Sequence, residues 1–577
     1  MASNTNNTLQ KQKNKIAQLL AKGQLDRAAK VNSALCKKFP RNTECWLNLG
    51  TIHGMRGAME EAENCFRHAA QIKPDSAQAY FNLGIAQANQ KKYNNAIESY
   101  QRVLALDPGH AEASCNLGTI FLHLRNIQAA FSYQLRASEL APDNAKIQCN
   151  LAIAYEELLE PLNAIACLRK AIELEPASTD AKIHAGFILE RLNKLDEAEQ
   201  YAKEARQREP NNARANILHA RVLRRQGKLD TALDRLKVAM ATGTLNSTDS
   251  ANAYHEFGTV LDKQGLHDKA FDAFSECNRI SASISENPSE AFLSDINAIH
   301  KWVETKDKLQ SPLVITEPET EADHIFLVGF PRSGTTLLEQ ILSAHSKIVT
   351  TDERAVLNDV VTQILIPRSK GKPYPEYFTE ASHETLELCR KWYRVRARKY
   401  SGENLYGRTL VDKLPFNLIH LDLIQYLFPD SKILVALRDP RDVVLSCFIQ
   451  QFQLNEAMSN FTSLKSTVDL YIEVMQLWLK YKNRISLAYK EVRYENLVTD
   501  FESLTPEIFS FLDLPWEESI ANFHERAQKR YISTPSYQAV GTPLYKTSAG
   551  RWKRYENKLG HEIKRLAPLL EEFGYSL

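Results

Sequence analysis

The stretch FLVGFPRSGTTLLEQILSAH, from Phe326 to His345, decides how the second half of this 577-residue chain is read. A short apolar run, a Gly-Pro-Ser-rich loop and a new apolar periodicity predict a strand, a tight turn and a helix start. Gly329 and Gly334 have the GxxxxG spacing of a phosphate-binding loop, but Thr335 follows where a nucleoside-triphosphate loop carries lysine. Instead Arg332 stands inside the loop. With Ser333, Gly334, Thr335 and Thr336 it supplies a guanidinium, hydroxyls and a row of backbone N–H groups. All of these would face an anion at the N-terminus of the helix that follows.

Arginine offers a fixed fork to paired anionic oxygens. A triphosphate with its metal would lack its usual partners here. A phosphosulfate, with less charge and no need of magnesium, suits the loop better. Around it, HIFLVGF, TLVDKL and KILVAL are short apolar runs, each followed by a turn and a helical stretch. That alternation predicts an α/β domain with a central parallel sheet over residues 321–577. Residues 284–320 read as a charged helix and a Pro-marked linker (SPLVITEPETEA).

Upstream, the pattern changes. Pro40, Pro74, Pro108, Pro142, Pro176 and Pro210 recur every 34 residues. A column of small residues keeps the same phase: Gly50, Gly84, Gly118, Ala152, Gly186 and Ala220. So does an alanine column: Ala62, Ala96, Ala130, Ala164, Ala198 and Ala232. Small residues allow two antiparallel helices to approach, and proline stops the second helix and sets the turn to the next unit. The period resembles the tetratricopeptide repeat, a helix–turn–helix unit of that length. About seven to eight units are expected over residues 1–283, including a degenerate first one. After Pro210 the phase slips by four residues, then resumes with Gly258 and Ala270. Such units stack into an all-α superhelix with a concave groove. Asn48, Asn82, Asn116 and Asn150 lie two positions before the small residue in four successive units. In tetratricopeptide proteins that position faces the groove, where an amide ladder would grip an extended polypeptide partner. The other reading of the column is a common repeat residue with no ligand.

Composition sets bounds. Hydrophobic content of 44% and charged content of 25% describe a soluble globular protein, and a formal charge of +2 points to neither nucleic acid nor a membrane surface. The polar start, MASNTNNTLQKQKNK, lacks an apolar signal region, and no run of eighteen apolar residues predicts a spanning helix. Nine cysteines without a CxxC pair read as free thiols in a reducing, cytoplasmic setting. The histidines are dispersed, and no metal cluster is expected.

With the loop and the repeats in view, the chain resembles the sulfotransferases, above all bacterial sulfotransferases with tetratricopeptide repeats and the related tyrosylprotein sulfotransferases. PRSGTT after a strand looks like that family's 5′-phosphosulfate loop. KILVALRDPRDVVLS places Arg438 and Ser446 eight residues apart, the spacing of its 3′-phosphate element, and RYENLVTDFESLTPEIFSFLDLPWEES matches a later stretch. The resemblance implies 3′-phosphoadenosine 5′-phosphosulfate as sulfuryl donor and an acceptor hydroxyl, with no metal.

It also implies roles. Glu353, in HSKIVTTDERAV, falls at the general base, with Asp352 next to it; a solvated helix-start acid is the plainer account. Lys413, in LVDKLPFN, matches the lysine that steadies the leaving phosphate. Ser536, or Thr534, fills the C-terminal catalytic position. Tyr494 stands near the adenine or in the core, and Arg551 is a phosphate clamp or an ordinary exposed arginine. The arginines with which the tyrosylprotein enzymes hold acidic peptides are replaced by Ala355 and Asp359, with Arg354 adjacent. A tyrosine of a recruited polypeptide, a carbohydrate, or a small alcohol or phenol all remain acceptors on this reading. A vestigial repeat scaffold and a kinase on the same fold are the competing functions.

Overall fold

The computed structural model describes residues 2–241, 243, 245–285, 289–309, 323–401, 405, 407–524 and 548–577. The chain divides into two compact units, Met1–Leu192 and Asn193–Leu577.

The first unit is all helix. Its paired helices include Thr43–Met55 with Met59–Ile72, Ala77–Asn89 with Tyr93–Leu106, Ala111–His123 with Ile127–Leu140, and Ala145–Glu157 with Pro161–Leu174. The degenerate first repeat is present as Ala2–Ala21 and Leu25–Lys38. The small column has a specific partner. A Cβ built on Gly50 would lie 2.5 Å from the Phe66 ring, one on Gly84 2.8 Å from Tyr100, and one on Gly118 2.7 Å from Gln134. In these three units, then, a glycine on the first helix makes room for a bulky side chain sixteen residues later on the second. Filling that room would overpack the pair at a cost of roughly 1–3 kcal/mol. The alanine column is fully buried at Ala62, Ala96, Ala130 and Ala164. A further column emerges two residues after each proline. Asn42, Ser76, His110, Asn144 and Ser178 each cap the next helix by accepting from a backbone N–H three residues on.

The second unit starts with the later repeat helices, Leu195–Arg208, Ala213–Arg225, Leu229–Ala241, Ser247–Lys263 and His267–Ile284. Next comes Ser289–Glu304, the helix expected within a linker. It buries Ile296, Ile299 and Val303 in the same core as the sheet residues Phe326, Val328, Ile433 and Val435.

Five parallel strands form the sheet: β1 Asp323–Gly329, β2 Ile348–Thr350, β3 Thr409–Lys413, β4 Lys432–Leu437 and β5 Ala488–Arg493. Their order is β2-β3-β1-β4-β5. Strand alternation divides the apolar residues between two faces. Phe326 and Val328 join the larger core, while Ile325 and Leu327 pack with Leu338, Ile341 and Leu342 of helix Thr335–Ser343 and with Ile508 and Phe509. Because β1 has β3 on one side and β4 on the other, the chain reverses its winding there. The carboxyl ends of these strands flank the crevice where doubly wound sheets bind ligands. Pairing Leu327 with Lys413 and Gly329 with Ala436 brings those ends level.

The last repeat pair packs directly on the sheet domain. Leu261 and Phe274 share a core with Leu445, Phe448, Trp552 and Tyr555, and Asn278 donates to the Phe448 carbonyl at 2.8 Å. Among the described residues no helix is long and apolar enough to cross a membrane, and all nine cysteines are free.

Candidate active site

β1 ends at Gly329, whose Cβ position lies 2.7 Å from the Ala436 carbonyl oxygen, too close for any side chain. Arg332 and Gly334 then take left-handed backbone angles, φ +70° and +104°. The Ser333 N–H closes the turn on the Phe330 carbonyl at 3.1 Å, and the loop leads straight into helix Thr335–Ser343, whose first N–H groups are of the kind that can take an anion. Tyr494, buried at the end of β5, supports the loop from below. Its ring would sit 2.8 Å from a Cβ on Gly334. The same ring lies 4.8 Å from the Arg438 guanidinium, so Tyr494 ties the loop to the end of β4.

The two guanidiniums expected to hold separate anionic groups stand in one cluster. Arg332 donates through Nε to Ser446 Oγ at 3.1 Å, and Arg438 donates through Nη1 to the Arg332 carbonyl at 3.2 Å. Burial, together with the like charges of Arg438 and Arg551, lowers the Arg332 pKa below that of an ordinary guanidinium. Arg438 also lies 3.7 Å from Asp442, whose carboxylate accepts from the Gly550 and Trp552 amides at 2.7 and 2.8 Å. The neighbouring Asp439 pairs with Arg441 at 2.8 Å and caps helix Pro440–Ile449.

Two buried polar atoms here have no hydrogen-bond partner among the described residues: Ser333 Oγ and Arg438 Nε. Such atoms are costly unless a ligand completes them. The left-handed loop, the helix start, two guanidiniums and two orphaned atoms fit a nucleotide with two separate anionic groups.

A second cluster is built around Lys413, the last residue of β3 and fully buried. Its ammonium donates to Glu353 Oε1 at 2.6 Å and lies 3.0 Å from Glu339 Oε2. Burial disfavours the ammonium, but the two carboxylates outweigh burial and raise the Lys413 pKa. Asp352 and Glu353 both adopt left-handed angles, φ +51° and +61°, in the loop after β2. That loop is pinned by Thr351, whose N–H donates to the Val411 carbonyl and whose hydroxyl accepts from the Lys413 amide at 3.2 Å. Glu517, in the LPWE turn, accepts from the Ser346 amide at 2.8 Å and holds the approach to β2. Of the two candidate acids, Glu353 meets Lys413. Asp352 accepts from the Thr350 hydroxyl at 3.4 Å.

Other expected residues fall differently. Arg551 points its guanidinium to Asp262 of repeat helix Ser247–Lys263, at 2.7 Å. Asp262 also accepts from the Tyr555 hydroxyl at 2.5 Å. Asp359 accepts from Arg396 at 2.9 Å and from Tyr400 at 2.8 Å, and Arg354 lies 5.4 Å over the Tyr400 ring. Ser536 and Thr534 lie outside the described residues. In the first unit, Asn48 is half-buried and Asn82 accepts from Gln78 at 3.0 Å. Asn116 and Asn150 direct their amides inward, to Tyr100 Oη at 3.2 Å and Cys115 Sγ at 3.0 Å. Asn116 also lines a groove of about 490 Å³ with Phe81, Tyr93, Tyr100 and His123.

Two participants were not singled out from sequence, Glu339 and Asp262. Glu339 had a visible signal, since it is the lone charge in the apolar helix run TTLLEQILS.

Both parts of the chain are similar to known families. The family described as the sulfotransferase family matches residues 324–518, and tetratricopeptide repeat families match 18–77, 77–110, 111–144, 149–213 and 188–239. An uncharacterized protein of Aquifex aeolicus is 28% identical over 333 residues, 54% of this chain; the chain spans 40% of that protein's length. Protein-tyrosine sulfotransferase A of Caenorhabditis elegans is 25% identical over 278 residues, 44% of this chain and 67% of that one. Among solved structures, pilF of Pseudomonas aeruginosa aligns with a TM-score of 0.34 and 22% identity, over 38% of this chain and 97% of that one.

Proposed function

Taking the chain as tetratricopeptide repeats joined to a sulfotransferase-family domain, we propose that it transfers the sulfuryl group of 3′-phosphoadenosine 5′-phosphosulfate to an acceptor hydroxyl. The observation that carries this reading is the pairing of two half-sites. On one side are Arg332, Ser446 and Arg438; on the other, Lys413 lies against Glu353 at 2.6 Å.

The residues divide the work as follows. Arg332, Ser333, Thr335, Thr336 and the loop amides orient the 5′-phosphosulfate, and Arg438 with Ser446 takes the 3′-phosphate. Glu353 is the more exposed of the two carboxylates on Lys413, at 32%, and receives the acceptor proton as the acceptor oxygen bonds to sulfur. The bond from sulfur to the bridging oxygen breaks, and Lys413 balances the charge that grows on that oxygen. Ser536 is the proposed further contact at the leaving group. Tyr494 acts as the floor of the loop and the Arg438 face. Arg551 is held by Asp262 and is close enough for its charge to act on Arg332, which supports it as an outer clamp for the phosphate.

The acceptor we propose is a polypeptide hydroxyl, tyrosine included, recruited by the repeat groove around Asn48, Asn82, Asn116 and Asn150. Relatives named protein-tyrosine sulfotransferase support this. Asp359, already neutralised by Arg396, argues against the acidic sequences that an arginine pair would select. Recruitment is assigned to residues 1–283 and chemistry to 321–577. A reducing, cytoplasmic setting is supported by the nine free thiols.

Titration with 3′-phosphoadenosine 5′-phosphate and assay of sulfuryl transfer to extract proteins test the reading. Binding in the micromolar range is expected. Glu353→Gln should retain it while losing roughly 10²- to 10⁴-fold in turnover. Absence of binding by the intact protein would remove the proposal.

A further inference from the structure

Lys413 is shared by two carboxylates, and only one of them can meet an acceptor. Glu353 reaches it from the loop after β2 and is 32% exposed, whereas Glu339 reaches it from the phosphate-loop helix and is 2% exposed. Glu339 Oε2 lies 3.0 Å from the ammonium, and its Oε1 is buried without a hydrogen-bond partner among the described residues. Charge bookkeeping during transfer gives this arrangement a purpose. Before the reaction, one buried cation faces two carboxylates. When Glu353 takes the acceptor proton it becomes neutral and its hold on Lys413 weakens. Without a second carboxylate the ammonium would then have only the charge growing on the leaving oxygen to hold it, and no protein group would keep it protonated and in place. With Glu339 in place, one ion pair survives and an N–H is released toward the leaving oxygen.

We propose that Glu339 is a positioning residue that keeps Lys413 charged and aimed while Glu353 is protonated. This rests on the sulfuryl-transfer reading for its consequence in turnover, but not for the coupling of Glu339 to Lys413. The groups facing Glu339 are Lys413 from β3 and Asp352 and Glu353 from the loop after β2; Glu353 in turn acts on Arg332. Burial pushes the Glu339 carboxyl up to about 7, with Lys413 pulling the other way and Asp352 and Glu353 adding to the rise. Glu339 is therefore neutral below that pH and charged above it, so its support for Lys413 appears as pH rises through about 7.

The test uses full-length wild type, Glu339→Gln and Glu339→Asp. First, the Lys413 signal in protein carrying isotope-labelled lysine, assigned with Lys413→Arg, is followed against pH without ligand. Glu339→Gln should lower the Lys413 titration midpoint by roughly a unit or more. An unchanged midpoint overturns the proposal, whether or not the protein transfers sulfuryl groups. Second, turnover is measured against pH. Wild type should gain activity through about 7. Glu339→Gln should lose that step and roughly 10- to 100-fold in kcat at high pH, with KM for the donor little changed. Glu339→Asp should recover part of both. Wild-type kcat and an unchanged pH profile in Glu339→Gln would also overturn the proposal. A lowered melting temperature with both titrations intact would assign Glu339 to packing alone. If wild type shows the Lys413 coupling but no transfer, the functional reading fails and the coupling stands.

Discussion

Gly334 shows how much of the site depends on single atoms. Its φ of +104° is one that side chains rarely adopt, and the Tyr494 ring occupies the space a Cβ would need at 2.8 Å. Gly334→Ala is therefore expected to cost about 1–3 kcal/mol in the loop. Calorimetric titration should show weakened 3′-phosphoadenosine 5′-phosphate binding, and circular dichroism should show unchanged helix content. At this scale the sequence exposed residues whose chemistry is tied to a local motif. Arg332 was visible because it stands in a loop that lacks the usual lysine, and Arg438 with Ser446 because the stretch that carries them resembles a family element; the structure brings the three together. Glu339 passed unnoticed because its meaning lies in Lys413, more than seventy residues away on another strand. The resemblance pointed to Glu353 with Asp352 beside it, and the structure turns Glu353 to the ammonium while Asp352 accepts from Thr350.

Elements carry a different kind of information. Helix Ser247–Lys263 belongs by sequence to the repeats, yet it presents Asp262 to Arg551 and Tyr555 and packs Leu261 beside Trp552. Burial opposes the Asp262 charge, but Arg551, Tyr555 and His267 outweigh it and hold the carboxyl below its usual range. A depressed carboxyl stabilises the fold above its unfolded pKa of about 4, and that contribution fades as pH falls through the folded value. Asp262→Asn is thus expected to lower the melting temperature near neutral pH, by an amount that shrinks below about pH 4. Equal losses at both pH values would show that the ion pair contributes nothing. The repeat helices themselves were legible, since proline, small-residue and alanine columns report spacing within one unit. The cap column at Asn42, Ser76 and Asn144 was equally periodic, but its diversity of side chains concealed a shared function. β2 was missed because three residues, Ile348–Thr350, are too few to show alternation.

For the molecule as a whole, the repeats do not all belong to one compact unit. Contacts divide the chain at Leu192, and the later repeat helices fold with the sheet. Deleting residues 1–192 is expected to leave a folded unit that binds 3′-phosphoadenosine 5′-phosphate. Deleting 1–283 should strip Phe274 and Asn278 from helix Pro440–Ile449, which carries Ser446, and expose Phe448 and Trp552. Aggregation, a lowered melting temperature and lost binding should follow; gel filtration and thermal melts compare the two. Stable, binding-competent protein from the larger deletion would show that the last repeat pair is dispensable. The sequence by itself determined the repeat period, the parallel α/β domain and the strand–loop–helix around Arg332, because each is set by interactions between residues close along the chain. Tertiary structure alone decided that Lys413 is shared by Glu339 and Glu353, that Arg551 answers to Asp262, and that the final repeats pack on the sheet domain. Those relations depend on which distant surfaces exclude water together, and a buried charge takes its role from whatever charge is buried beside it.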